Sequence, residues 1–86
     1  MGLGGHMAAQ KFEKDSEEWK MFMDFWQLCQ RHWVPDATDE YWQALTDDTK
    51  EFYRKHPGTF ARELGNALHI EMDRRINGKE TFHRRR

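Results

Sequence analysis

With 86 residues and a single cysteine, the chain has room for one domain and none for an internal disulfide or a cysteine-rich zinc site. No apolar run approaches the roughly 20 residues of a membrane-spanning helix. The net charge of −1 argues against a dedicated nucleic-acid binder. That small net charge conceals an asymmetry, because residues 13–51 hold eleven Asp and Glu against four Lys and Arg, whereas residues 52–86 hold four against nine. An acidic front and a basic end either pair within the fold or face different partners. With no secretory signal pattern, a reducing, cytosolic setting is expected.

The opening residues 1–7, "MGLGGHM", read as an expression remnant. Residues 8–78 read as a three-helix domain and 79–86 as a basic flexible tail. Residues 8–14 carry no stop signal and either extend the first helix backwards or fray. Asp15 is the expected cap, with Glu18 reaching back in a capping-box pattern, and the helix should end near Trp33 because Pro35 disfavours a helical Val34. Trp19, Trp26 and Trp33 recur every seven residues on one face, joined by Phe22, Met23 and Cys29. Met21, Phe25 and Leu28 fall on nearly the opposite side. Apolar residues on both sides predict a helix wedged between two others, the most buried element, with Trp26 inaccessible.

"VPDATD" is a turn in which Asp36 or Thr38 caps the second helix. Tyr41, Trp42, Leu45, Thr49, Phe52, Tyr53 and His56 share one arc of that helix and predict its core face. "HPGT" breaks the chain again, and Thr59 is the expected cap of the third helix. Phe60, Ala61, Leu64, Ala67, Leu68 and Met72 predict its core stripe. Its small residues, with Gly65, suggest a close approach to the bulky first helix. Gly78 is the expected stop. The expectation is an all-α, three-helix up-down-up bundle with an aromatic-rich first helix.

The chemistry-bearing residues are sparse. His32, His56 and His69 sit on three different helices, and His6 and His83 lie near the ends. No pair has i,i+4 ligand spacing, so neither a metal site nor a cofactor is expected. Asp39-Glu40 and Asp47-Asp48 are adjacent and do not face one another on a helix. There is no phosphate-cradling loop and no nucleophile signature, so no enzyme is expected. Cys29 reads as a small buried hydrophobe. Two features remain. Arg74, Arg75, Lys79, Arg84, Arg85 and Arg86 form a basic end, the candidate contact for nucleic-acid phosphates. Met21, Phe25, Leu28, Ile70 and Ile76 form an apolar surplus, the candidate surface for a partner or a second copy. A monomer is the expected state, since the second and third helices can flank the first on both sides; a two-fold dimer is the alternative.

The stretch from "EEWKMFMDFWQLCQRHW" through "VPDATDEYW" and "FYRKH" to "FARELGNAL" resembles a type of small all-helical protein of prophages and other mobile elements of anaerobic, gut-type bacteria. The resemblance covers about residues 17–68, and the end "HIEMDRRINGKETFHRRR" departs from that type. It implies a phage-associated setting and no assigned activity, with action by binding host or phage proteins, including defence systems. The expected function is therefore a non-enzymatic protein–protein interaction module. The alternatives are nucleic-acid binding through the basic end, or inhibition of a host defence nuclease by acidic helix faces that mimic phosphates.

Overall fold

A computed structural model describes residues 9–78 as three α-helices, α1 (Glu17–Arg31), α2 (Asp39–Lys55) and α3 (Thr59–Asp73), closed by a π-helical turn over Arg74–Gly78. Among the described residues there is no strand. The expected remnant at 1–7 and tail at 79–86 lie outside the described residues, and so do Lys79, Arg84, Arg85 and Arg86. The all-α three-helix bundle is as expected, and the side-chain pairs give its topology. His32 at the end of α1 meets Asp48 in mid-α2, and His56 at the end of α2 meets Asp24 in mid-α1, so these helices run antiparallel. Tyr53 packs on Gly65, and Thr49 bonds His69 earlier on α2 but later on α3, so α2 and α3 are antiparallel too. No helix among the described residues is long and apolar enough to cross a membrane.

The helix starts depend on short polar side chains. Ser16, in extended conformation, caps α1 by accepting from the Trp19 amide at 3.2 Å. The cap expected at Asp15 falls one residue late because Asp15 has a φ of +69°, outside the extended region a capping residue needs. Asp tolerates that left-handed geometry, and the turn there, closed by the Ser16 amide on the Glu13 carbonyl, ends the helix backwards. The capping box with Glu18 is therefore not formed. Thr38 caps α2 by accepting from the Tyr41 amide, as one of the two expected options. On α3 the cap position is Gly58 at φ +137°, and Thr59 is already the first helical residue. α1 stops at Arg31, two residues before Trp33, with His32 at its C-cap.

The core is Leu28, Leu45, Phe52, Ala61, Leu68 and Met72, with Met21, Phe25, Cys29, Tyr41, Trp42, Tyr53 and Leu64 packed around it. Every residue expected on the core face of α2 is buried or half-buried. On α3, Ala61, Leu64, Leu68 and Met72 point inward, but Phe60 and Ala67 are exposed.

The wedge expected for α1 is overturned. Leu28 is its only fully buried residue, and Trp26 is 56% exposed. The buried core joins α2 and α3 to the side of α1 that carries Met21, Phe25 and Leu28, and α3 reaches the other side through Phe60, edge-on to Phe22. A bundle of three short helices can cover one arc of each, so the second apolar face of α1 is left outside.

Gly65 marks a close approach, but to α2 rather than α1. A Cβ built there would lie 2.5 Å from the Tyr53 hydroxyl oxygen and 2.7–2.8 Å from two ring carbons. Gly65→Ala gains about 1 kcal/mol of helix preference, yet it must displace the Tyr53 ring at an overpacking cost of about 1–3 kcal/mol. We expect a net loss in urea denaturation. The same substitution in a Tyr53→Ala background should stabilise; destabilisation there as well would mean the ring is not the obstacle.

Candidate functional site

The solvent-facing side of α1 carries the largest exposed apolar features among the described residues. Trp26 is 56% and Trp33 49% exposed, with Phe22 beside them and Val34 beyond. Trp19, Phe22, Trp26, Cys29 and Trp33 follow in alternating steps of three and four residues. From Trp19 to Cys29 this is the spacing of the a and d positions of a coiled-coil seam, and Trp33 follows just past the C-cap at His32. Between Trp26, Cys29, Gln30 and Trp33 lies an open cleft of about 380 Å³. At the other end of the helix Phe12 stacks on Phe22 with ring centroids 5.7 Å apart, and Phe60 meets Phe22 edge-on at 5.9 Å. The stripe thus runs the length of α1 and is extended by residues from before the helix and from α3.

Trp33 is held in place although it is exposed. The Arg75 guanidinium lies 4.1 Å from the centre of its indole ring and donates to the Trp33 carbonyl at 3.0 Å. The Arg75 Nε in turn donates to Glu71 at 2.9 Å. Cys29 sits half-buried within the stripe, and burial pushes its thiol above its ordinary value, so thiolate is scarce at neutral pH. It contributes a small apolar surface, not a nucleophile.

Behind the stripe, α1 is fastened to α2 by two polar clasps. The His32 ring Nε2 donates to Asp48 at 2.7 Å, and the His56 Nε2 donates to Asp24 at 2.7 Å. An ionised carboxylate only accepts, so in each clasp the proton sits on Nε2. Arg31 adds a second donor to Asp48 at 3.0 Å, and Tyr41 donates its hydroxyl to the His32 carbonyl at 2.7 Å. Burial works to raise the Asp48 carboxyl, but the hydrogen bonds from His32 and Arg31 outweigh it and hold the carboxyl below its ordinary value. The clasps flank a polar recess of about 80 Å³ that also takes in Gln27, Glu51 and Lys55. His32, His56 and His69 each have a protein partner, and among the described residues no three His, Cys, Asp or Glu side chains converge as a metal site requires.

The residues singled out from sequence do not come together. Leu28 is 2% exposed, and Met21 and Phe25 are half-buried against the core, so these three are not a surface. Phe25 packs on Phe52 of α2 at 5.8 Å. Ile70 is 50% exposed, in a shallow recess with Trp42, His69 and Asp73, away from the α1 stripe. Ile76 is half-buried in the π-helical turn. Of the basic end, Arg74 and Arg75 are both engaged by Glu71. Reading the tryptophan face as core is what hid the exposed stripe, although its three-four spacing was in plain view.

The geometry thus defines an all-α three-helix bundle with an aromatic seam on its outer helix. Comparisons with family models, with curated proteins and with solved structures find no match to the chain.

Proposed function

We propose that the chain is a non-enzymatic protein-docking module whose contact surface is the outer face of α1. The observation that carries this reading is the exposure of Trp26 on α1 and of Trp33 just past its end, while the other side of α1 is anchored in the core. Contiguous exposed aromatics mark interaction sites more often than solvated surface. Trp and Arg are the residue types that concentrate binding energy, and both occur in the Trp33–Arg75 stack. A side chain already fixed before binding loses little freedom on docking, which favours affinity. Seam spacing fits an apolar helix laid alongside α1. The resemblance to small mobile-element proteins suits the same mode of action.

Affinity capture from an extract of the source organism tests this reading, using the parent chain and a Trp26→Ala, Trp33→Ala variant. The expected result is a protein retained by the parent and lost from the variant, while both show the same helical circular dichroism. Equal retention by both would place the contact elsewhere on the surface.

A further inference from the structure

We infer that residues 9–15 are a strap that closes over one end of the α1 docking face and must swing away before a partner can occupy that end. The inference rests on the docking reading above and adds its regulation. The chain ahead of α1 does not continue along the helix axis. It doubles back at a four-residue turn, Glu13 to Ser16, closed by the Ser16 amide donating to the Glu13 carbonyl at 3.0 Å. The third residue of that turn is Asp15 at φ +69°, a place that several turn types give to the left-handed region. The reversal carries Phe12 against the second turn of α1, where its ring stacks on Phe22 with 5.7 Å between centroids and 10° between planes. Phe60, from the first turn of α3, meets Phe22 edge-on at 74°. Phe22 is thereby left 36% exposed, although it stands on the same outer face as Trp26 at 56%.

The strap is held by little. Every residue from Ala9 to Asp15 is exposed, Phe12 included at 43%. Phe12 is the one large apolar residue of "AQKFEKD". Among the described residues, its backbone makes no hydrogen bond to any helix. Fixing these seven residues costs conformational entropy, and against it stand one half-covered ring and one turn. Closed and open forms are therefore close in free energy, as in segments that open locally. The hinge favours release, because Asp visits the left-handed region at a cost and only the turn keeps it there. The place Phe12 takes suits a flat ring and lies within the aromatic stripe, so strap and partner compete for Phe22. A partner sees only the open fraction, and its apparent affinity is reduced by that fraction.

Binding of 8-anilinonaphthalene-1-sulfonate, a flat aromatic probe of exposed apolar surface, tests the strap on the full chain without a partner. Two variants open it by separate routes. Phe12→Ala removes the ring. Asp15→Pro removes the turn, because proline holds φ at about −65°, and it leaves the Ser16 cap on the Trp19 amide in place. Asp15→Gly accepts φ +69° without strain and keeps the turn. The expected result is a rise in dye affinity of about threefold or more for Phe12→Ala and Asp15→Pro, as the closed fraction is removed, and no rise for Asp15→Gly. Adding Phe22→Ser to either open variant should abolish the rise. Helical circular dichroism and cooperative urea unfolding should be retained throughout, which separates an open strap from a loosened core. Ring-to-ring nuclear Overhauser contacts between Phe12 and Phe22 should be present in the parent and absent in Asp15→Pro. Unchanged dye affinity in both open variants, or ring contacts that persist in Asp15→Pro, overturns the strap. So does a fall in urea midpoint for Phe12→Ala as large as that for Leu45→Ala, which would make Phe12 part of the core. Open variants that gain dye, while affinity capture stays indifferent to Trp26 and Trp33, overturn the docking reading and leave the strap standing.

Discussion

Leu45→Ala is expected to lower the unfolding free energy by about 2–5 kcal/mol, whereas Trp26→Ala is expected to change it by less than about 1 kcal/mol. Leu45 is fully buried at the centre of the bundle, where α2 faces both other helices. Its removal leaves a void that the neighbouring Phe52 and Met72 cannot fill without moving. A domain of this size has a total stability of only about 5–10 kcal/mol, so the leucine variant should be partly unfolded well below the parent's midpoint. Trp26 is the larger side chain, and by area alone it ought to matter more. It does not, because more than half of it is already in water in the folded monomer. Urea denaturation of both variants at low concentration, where any association is absent, makes the comparison. A tryptophan variant as damaged as the leucine variant would return α1 to the wedged position that its two apolar faces suggest.

The second large effect belongs to the clasps. Asp48→Ala leaves the His32 ring, 7% exposed, without the acceptor its Nε2 hydrogen needs. An unsatisfied buried donor costs about 1–3 kcal/mol. The pH dependence has two stages with the same sign. His69 is held below its ordinary 6.5, first by burial and then by repulsion from His32. Its surroundings suit the neutral ring. The Thr49 hydroxyl spends its one hydrogen on the Leu45 carbonyl and therefore accepts from His69 Nε2; the Asp73 carboxylate across the recess pulls the other way, and burial outweighs it. The unfolded chain takes up this proton more readily, so stability present above about pH 6.5 is lost as the pH falls through the folded value. Asp48, depressed below 3.8, adds a second loss in acid: its contribution is present above that pH and disappears as the carboxylate is protonated. Denaturation midpoints measured from pH 7 down to pH 3 should show both limbs. His69→Gln should flatten the upper one and Asp48→Ala the lower one. A midpoint that stays level between pH 7 and pH 5 would show that His69 is as easily protonated folded as unfolded.

The helix count, the turns and the inward face of α2 were legible in the sequence because each rests on local signals. Pro35 and the Pro57-Gly58 pair punctuate the chain, Thr38 caps, and α2 has one apolar arc and one charged arc. The side of α1 that turns inward was not legible. Met21, Phe25, Leu28 and His32 step by four, three and four residues, and Phe22, Trp26, Cys29 and Trp33 step the same way. Periodicity reveals that two faces exist but does not rank them. The ranking depends on what α2 and α3 present, and they receive Phe25 and Leu28 and bond His32. Hydrophobicity favoured the tryptophans and led to the wrong face. The close approach at Gly65 was anticipated, but its neighbour was not, since a missing side chain says nothing about which ring fills the space.

The paired clasps carry a consequence for how α1 and α2 are aligned. Asp24 precedes His32 by eight residues, and Asp48 precedes His56 by eight. The hairpin is therefore a palindrome in space: turning it end over end exchanges one clasp for the other. Such a pair of fastenings works like the two pins of a hinge plate. Sliding either helix by a single turn, about 5.4 Å, undoes both at once and leaves two largely buried imidazoles without their carboxylates. Alignment is thus set by the spacing inside the helices and not by the length of the "VPDATD" connection. The connection between α1 and α2 is free to vary in length as long as it ends on a capping residue such as Thr38, while the eight-residue intervals within the helices are not.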